Sequence, residues 1–481
     1  MWRSGTVKNG KGYCALEEVK ETQQARLRRV LPQILLVALL AGGLFTMITY
    51  PGIWYSDSYQ RAKTAVELLS QADHASMGSY LSLLPELVID LCLELTGSYA
   101  FYTWMQAAFF EAAGLVCIFW FFSGKAAWVL SALFVGCPIF FGYAVYWETG
   151  TVTAACLLLL VVATDAAWQR LRAGGQVLRL TGMGLCSFLA TGYRPNAATA
   201  IAGFAVWEAV ALWRCKAGRR WRAAGIGVLL LGTLLAFRVP HMAGVQPVSN
   251  GVVGPMWETA CMLNRIGEGN GYDTYLDDLI GAGNTEKIFA VEEEPEDSMY
   301  LFSDTLDYWS VPWSRNSSDQ FLSRYVTLIR EQPGAFFQVK WEMAQRTLGE
   351  LPFKEYEYDR DGGMSEYRFS DTPQRHLFFD CVTGFAGAWH WGRTPWKVLG
   401  TALVLLGIAF FLRRPVASAA KLLFVAVCYE GAFLLTTQSH EFRYWFPALL
   451  LLLVSMALSL AEILPAVRDV LRQSIRRKVR A

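Results

Sequence analysis

The chain has 481 residues, of which 54% are hydrophobic, and its mean hydropathy is +0.28. Apolar residues are gathered in runs long enough to cross a bilayer, which excludes an ordinary soluble domain and predicts an all-α polytopic membrane protein. The formal net charge of +2 says little about partners, because oppositely charged segments nearly cancel. Basic clusters are short and flank apolar runs, so nucleic-acid binding has no support.

Ten apolar runs predict about ten transmembrane helices, at 31–50, 100–122, 126–143, 147–168, 177–192, 196–213, 223–240, 396–412, 417–437 and 445–463. The first run follows a basic segment and has no small-x-small cleavage site after it, so we expect a retained anchor. Basic clusters such as 169–172 and the tail 468–480 are expected on the cytoplasmic side, together with both termini. Their parity requires residues 51–99 to form a single outer loop.

The predicted domain organisation follows from these spans. It comprises a cytoplasmic segment 1–30, a membrane domain 31–240, an extracytoplasmic soluble region 241–395, C-terminal membrane helices 396–463 and a basic cytoplasmic tail 464–481. The region 241–395 has about twice as many acids as bases, a disordered-looking run at 292–297, and helical periodicity at 319–331 and 333–350. Its scattered tryptophans are expected to mark a membrane interface. A disulfide between Cys261 and Cys381 is left open.

Two interfacial helices are expected in the outer loop 51–99, one at 59–70 and one at 81–95. In the second, Glu86, Asp90 and Glu94 recur every four residues and so share one helical face. Leucines form the opposite stripe. The pattern predicts an amphipathic helix with its acids facing water or a basic partner.

Four outer-facing turns carry charged or polar residues close to the hydrocarbon boundary, where ionised groups are expensive and usually functional or paired. They contain Asp57; Glu148; Arg194 with Asn196; and His440, Arg443 and Tyr444. For any one turn, interfacial anchoring explains the charge equally well. Four such turns on one side of the membrane favour a functional site over interfacial anchoring.

The residue types in these turns suit transfer from a phosphate-bearing lipid. Arg194 and Arg443 offer planar, permanently charged forks to a phosphate, and His440 adds a further donor. Asp57 can accept a proton from an attacking hydroxyl, and Glu148 can help to position an acceptor or a metal. The site has no Asp-x-Asp pair, so metal dependence is undecided, although Asp57, Glu148 and His440 could share a divalent ion. No other cofactor is implied.

The order and spacing of these motifs resemble the C-type superfamily of integral membrane glycosyltransferases, whose relatives include protein mannosyltransferases and lipid A aminoarabinose transferases. In that superfamily a catalytic Asp follows the first span in a large outer loop with interfacial helices, which is the place of Asp57. A second acid often follows a Pro-containing span, and here Glu148 replaces the more usual Asp.

Two further turns carry the resemblance. Arg194-Pro-Asn196 is similar to an Arg-rich turn of bacterial members, and Arg443-Tyr444 with Pro447 resembles their Arg-Tyr-x-x-Pro motif. The common His-Pro-Pro after the first acid is absent, since Asp73-His74-Ala-Ser stands in its place. The resemblance implies an enzyme of glycan biosynthesis in the cell envelope. It would transfer a sugar from a polyprenyl-phosphate donor to a glycan, lipid or protein acceptor at the outer membrane face, with inversion.

Two other classes of function remain open from the sequence. One is a lipid-linked glycan polymerase, ligase or flippase, although a flippase needs a polar path and the membrane segments look almost uncharged. The other is a non-catalytic membrane scaffold. The sugar, the acceptor and the oligomeric state have no signal in the sequence.

Overall fold

A computed structural model describes residues 11–54, 56–70, 82–165, 173–214, 219–243, 250–281, 283–289, 315–353, 369, 371–436 and 440–480. These segments are almost entirely helical, and the extended contact among them is a single parallel bridge between Ile53 and Tyr146. The all-α class predicted from the sequence is confirmed. The acidic run 292–297 and the basic cluster 169–172 lie outside the described residues.

The first half of the chain forms helices that follow the predicted apolar runs closely. They are α1 (Lys11–Ile48), α2 (Ser56–Ser70), α3 (Leu83–Thr96), α4 (Tyr99–Phe121), α5 (Gly124–Gly136), α6 (Pro138–Val145), α7 (Thr149–Asp165), α8 (Ala173–Tyr193), α9 (Ala197–Arg214) and α10 (Arg219–Met242). Pro138 has no backbone N–H to continue α5, so the chain bends there by 58° before α6.

In the described part of the second half, helices of 17 residues or fewer are followed by two longer ones. They are α11 (Asn250–Ile266), α12 (Asp277–Ile280), α13 (Asn284–Phe289), α14 (Arg315–Glu331), α15 (Pro333–Leu348), α16 (Pro373–Ala388), α17 (Pro395–Phe411), α18 (Ala417–Thr436) and α19 (Phe442–Arg480). Helices at 315–331 and 333–348 match the periodicity of the sequence.

Within the described residues, five helical segments are long and apolar enough to cross a membrane, and a sixth is added if α5 and α6 count as one bent span. The five are Gln23–Ile48, Tyr99–Phe121, Arg219–Met242, Ala417–Leu434 and Phe442–Asp469. The other predicted spans coincide with helices that are shorter or less apolar. The membrane class follows from these helices, whereas the number ten stays a prediction.

The main core is built around α7, which is buried on nearly every side. Residues from Thr149 to Leu158 are buried without a break, and α7 contacts α4, α8 and α19. A helix that is apolar on all faces is expected in the centre of a bundle. The N-terminus of α7 carries Glu148, so this central helix fixes one predicted site residue.

The region 241–395 divides between two cores. Helices α11, α14 and α15 contribute to a separate core that includes Met256, Phe321 and Val339. Helix α16 instead places Phe378 and Phe379 in the main core beside α6. The region 241–395 therefore comprises a separate unit, called here the outer unit after the side of the membrane that the sequence predicts for it, and then a helix that packs in the main core.

Both predicted helices of the loop 51–99 are present as α2 and α3, and Glu94 and Glu86 of α3 face water and a basic partner, as the sequence predicted. Glu94 is exposed, whereas Glu86 is fully buried and lies 3.9 Å from the guanidinium of Arg61 on α2. The predicted apolar stripe also divides, because Leu84 is buried while Leu91 and Leu95 are exposed. The acidic face is thus not a uniform water-facing surface, since its first member pairs inside the protein.

The disulfide left open by the sequence is not formed. Cys261 and Cys381 are both free thiols. Burial raises the pKa of Cys261 to about 12, so its thiolate is scarce at neutral pH. Cys92, which lies outside the predicted spans, is buried in α3.

Candidate functional site

The four predicted turns meet at one end of the helical bundle. Asp57 lies in the first turn of α2, Glu148 immediately before α7, Arg194 immediately after α8, and Arg443 in the first turn of α19. Side chains from these turns form one continuous set of ion pairs, called here the charged cluster: Asp57, Glu148, Arg194, Glu441 and Arg443.

Arg443 is the central cation of the charged cluster. Its Nη1 lies 3.0 Å from Asp57 Oδ2 and 3.6 Å from Glu148 Oε2, and its Nε pairs with Glu441. Its Nη2 donates to the Tyr444 hydroxyl over 3.2 Å. Every edge of the guanidinium therefore has a polar partner within the protein.

Arg194 holds the other side of the cluster. Its Nη2 pairs with Glu148 Oε1, and its Nη1 donates to the Arg443 carbonyl over 2.9 Å. The Tyr444 ring lies 4.9 Å from the Arg194 guanidinium and 5.0 Å from that of Arg443. Tyr444 thus separates the two cations and offers both a π face.

Helix ends explain part of this arrangement. Asp57 and Glu148 sit at helix N-termini, and Glu148 Oε1 also accepts from the Gly150 N–H over 3.3 Å, as an N-cap does. Arg194 sits at a helix C-terminus, where a cation is favoured. Arg443 has the opposite placement, at an N-terminus that disfavours a cation. The three carboxylates around it offset that field.

Burial differs across the cluster. The side chains of Glu148, Arg194 and Arg443 are 2%, 8% and 10% exposed, whereas Asp57 is 24% exposed. The cluster therefore has a closed side at Glu148 and Arg194 and an open side at Asp57. A ligand arriving from solvent or lipid meets Asp57 before it meets the cations.

The segment that leads to Asp57 is fixed by a backbone pairing. The Ile53 N–H donates to the Val145 carbonyl over 3.1 Å, and the Trp147 N–H donates to the Ile53 carbonyl over 3.0 Å. This short parallel bridge sets the loop before α2 beside the loop before α7. The two predicted acids are brought together by main-chain hydrogen bonds.

Buried side chains lock the same segment from two directions. Arg375 of α16 donates to the carbonyls of Thr49, Tyr50 and Gly52, with the Gly52 contact at 3.2 Å. Thr103 donates to the Pro51 carbonyl and accepts from Trp147 Nε1 over 2.7 Å. The segment 49–52 before α2 is consequently held by several hydrogen bonds to α4 and α16.

The remaining predicted site residues lie near the cluster. His440 is partly exposed, directly before Glu441. Asn196 is partly buried at the start of α9, where its carbonyl accepts from the Thr199 hydroxyl over 2.8 Å. The substrate-binding roles of both residues stay predictions.

No three His, Cys, Asp or Glu side chains come together in a metal-binding arrangement within the segments that the structure describes. Between Asp57 and Glu148 the charged group is the Arg443 guanidinium. From the sequence, Asp57, Glu148 and His440 could share a divalent ion, whereas in the structure a guanidinium lies between the two acids.

Several residues that contact the two arginines of the site are not among those predicted from the sequence. Glu441 was not selected, although it adjoins His440 and pairs with Arg443. Tyr429, Glu430 and Phe433 of α18 surround Arg194, with the Phe433 ring 5.8 Å from its guanidinium. The sequence marks this group by Glu430, an acid inside an apolar helix, because such an acid is usually functional or paired.

Charges inside the bundle are also more numerous than the sequence argument against a flippase assumed. Glu111 is fully buried in α4, and neither of its carboxylate oxygens has a hydrogen-bond partner among the described residues. Lys421 is buried in α18 and donates to the Thr164 hydroxyl over 3.0 Å. Both belong to helices that contribute many apolar residues to the main core.

Comparison of the chain with protein-family models, with curated proteins and with solved structures gave no match. The fold and the geometry of the site are accordingly the basis for the functional proposal.

Proposed function

We propose that the protein is an integral membrane glycosyltransferase that moves a sugar from a polyprenyl-phosphate donor to an acceptor hydroxyl or amide at the outer membrane face. The observation that carries the proposal is the charged cluster, which joins four distant parts of the chain at one end of the membrane helices. Such a concentration of charge at a bilayer boundary is expensive unless it serves a ligand or a reaction.

In this proposal the donor phosphate binds by replacing a carboxylate that pairs with Arg443. Arg443 already pairs with Asp57, and Asp57 is the more exposed of the two groups in this 3.0 Å pair. A phosphate oxygen takes the place of the Asp57 carboxylate on Nη1 of Arg443, since a guanidinium fork suits either anion. Binding the donor thereby releases the carboxylate that the reaction needs.

The released Asp57 carboxylate then acts as the general base. It accepts the proton of the acceptor while the acceptor atom attacks the anomeric carbon from the face opposite the phosphate. The bond between the anomeric carbon and the phosphate oxygen breaks, and the electron pair stays on the phosphate. Arg443 stabilises that growing negative charge in a site of restricted water access.

Glu148 and Arg194 have a supporting part in this reaction. Both are almost completely buried and they pair with each other, so they hold Arg443 in place from behind. Arg194 is thus assigned to positioning the cluster, rather than to the direct phosphate contact expected from the sequence. His440 and Asn196 remain the proposed contacts to donor or acceptor at the rim.

The membrane topology in this proposal has ten spans, both termini in the cytoplasm and the charged cluster outside. Its support is the distribution of basic residues in the sequence and the coincidence of every predicted span with a helix or a bent helix pair. The acceptor is a glycan, lipid or protein of the cell envelope, and its recognition is assigned to the outer unit.

The test is sugar transfer in membranes with radiolabelled polyprenyl-phosphate sugars, comparing wild type, Asp57→Asn and the control Glu94→Gln. Glu94 is an exposed acid in the same loop and lies outside the charged cluster. We expect Asp57→Asn to lose transfer by a factor of about 10² or more while Glu94→Gln stays active. Normal transfer by Asp57→Asn would remove Asp57 from the mechanism. A wild type inactive with every donor would favour the scaffold alternative.

A further inference from the structure

Helix α15 of the outer unit has its charged and apolar residues on unexpected sides. The exposed face carries Gly334, Phe337, Gln338, Trp341 and Gln345, none of which is charged. Phe337 and Trp341 are 69% and 65% exposed, and they are four residues apart on one face. This set is called here the uncharged face of α15.

Two charged residues of α15 instead pair with α11 of the outer unit. Lys340 pairs with Glu258 of α11, and Glu342 accepts from Arg265 of α11 over 2.7 Å. A helix surrounded by water usually shows the reverse arrangement, with charges outward and large aromatics inward. The surroundings of the uncharged face are therefore not bulk water.

The C-terminal end of α15 is tied to the membrane helices. Just beyond it, the Leu351 N–H donates to the Arg393 carbonyl over 2.8 Å, and the Pro352 carbonyl accepts from the Phe442 N–H over 3.2 Å. Arg393 lies two residues before α17, and Phe442 opens α19. Helix α15 is thus held at the end of the bundle that carries the charged cluster.

The surface beside α15 continues into an exposed apolar surface of α17. Helix α15 contacts α17 and α18 directly. At the start of α17, Trp396 is 57% exposed, and further along the same helix Leu403 and Val404 are exposed as well. Tryptophan and phenylalanine are favoured at the boundary between headgroups and hydrocarbon, where uncharged polar side chains are also tolerated.

We infer that the uncharged face of α15 is a lipid-binding surface, which lies in the headgroup boundary at the cluster end of the membrane helices and anchors the outer unit to the bilayer. Phe337 and Trp341 insert beside Trp396, and Gln338 and Gln345 contact headgroups. The inference does not depend on the proposed glycosyl transfer, because it rests on α15 and its neighbours alone.

The test uses the full chain in phosphatidylcholine vesicles and compares the tryptophan fluorescence of wild type with that of Trp341→Phe. The difference spectrum isolates Trp341. Two quenchers are applied separately: phosphatidylcholine brominated near the headgroup end of its chains, and iodide in the water. Trp257→Phe is the control, because Trp257 is partly buried against the core of the outer unit.

We expect the brominated lipid to quench the Trp341 signal about twofold or more beyond its effect on the Trp257 signal, with iodide having little effect on Trp341. Gln338→Trp adds a reporter on the same face and should gain lipid-quenchable fluorescence even if Trp341→Phe perturbs the fold. Quenching of Trp341 by iodide would overturn the inference in favour of a water-facing helix. Insensitivity to both quenchers would overturn it in favour of a protein partner, such as a second copy.

Discussion

Arg443 binds Asp57 over 3.0 Å although the two residues are 386 positions apart in the chain. The same guanidinium reaches Glu148 at 3.6 Å and pairs with Glu441, so it is shared among three carboxylates. Binding three carboxylates requires both the positive charge and the planar shape of the guanidinium, because the planar group offers several donors in fixed directions.

Replacing Arg443 by Lys separates shape from charge. A lysine keeps one positive charge but cannot serve Asp57, Glu441 and the Tyr444 hydroxyl together. We expect Arg443→Lys to reduce transfer by about tenfold or more, with a smaller loss of thermal stability than in Arg443→Ala. Steady-state transfer and thermal unfolding in detergent measure the two effects. A lysine variant as active as wild type would show that the directions of the donors are unimportant.

Arg194 is the residue whose loss should destabilise the site most. Arg194→Ala leaves the Glu148 carboxylate buried without its closest cation, and breaking such a buried pair costs about 3–5 kcal/mol. The double variant Arg194→Ala with Glu148→Gln should recover part of that loss, because the remaining group is neutral. A double-mutant cycle from denaturant unfolding gives the coupling. Additive effects of the two changes would contradict the pairing.

Gly52 tests whether the loop before α2 must be held in one place. Its φ is +145°, and an added Cβ would lie 2.6 Å from Thr103 Oγ1 and 3.0 Å from Trp147 Nε1. We expect Gly52→Ala to displace the loop and reduce transfer. Gly97→Ala is the matched control, since Gly97 also has a positive φ of +66° but has open space around its Cβ position. It should lose about 1 kcal/mol of stability and keep its activity. Equal effects of the two changes would mean that backbone conformation alone explains both.

Acid should loosen the turn 277–285 of the outer unit. Desolvation raises the pKa of Asp277, but hydrogen bonds from the Thr285 hydroxyl and from the Gly283 and Thr285 N–H groups outweigh it and lower the pKa overall. A carboxyl with a lowered pKa contributes stability above its unfolded value, about pH 4, and that contribution is lost as the pH falls further. Hydrogen exchange of this segment, corrected for its intrinsic pH dependence, should therefore speed up below that pH. Asp277→Asn should show the faster exchange already at neutral pH, and an unchanged rate in that variant would refute the role of the carboxylate.

The helical membrane fold could be predicted from the sequence because it depends on local patterns. Runs of apolar residues, Pro138 after Cys137 and the basic flanks act over a few turns of helix, so composition alone locates the elements. The outer unit was harder to predict, since nothing local distinguishes α15, which stays with that unit, from α16, which packs in the main core.

The site was predictable as a set of charges but not as a set of pairs. Asp57, Glu148, Arg194 and Arg443 could be selected because each lies next to an apolar run. Their pairing depends on how α7, α8 and α19 pack, which periodicity does not encode. Glu86 shows the same limit, because helical spacing placed it with Asp90 and Glu94 but could not reveal the buried Arg61 opposite it.

The late position of Arg443 in the chain also determines when the charged cluster can assemble during synthesis. Asp57 is synthesised long before α19, so its carboxylate has to wait for Arg443, whereas Glu148 can pair earlier with Arg194, which follows α8. Arg375, which holds the loop before Asp57, is also made late. The charged cluster can therefore be completed only when α19 arrives, and a chain truncated before α19 would keep the Arg194–Glu148 pair but leave Asp57 without Arg443.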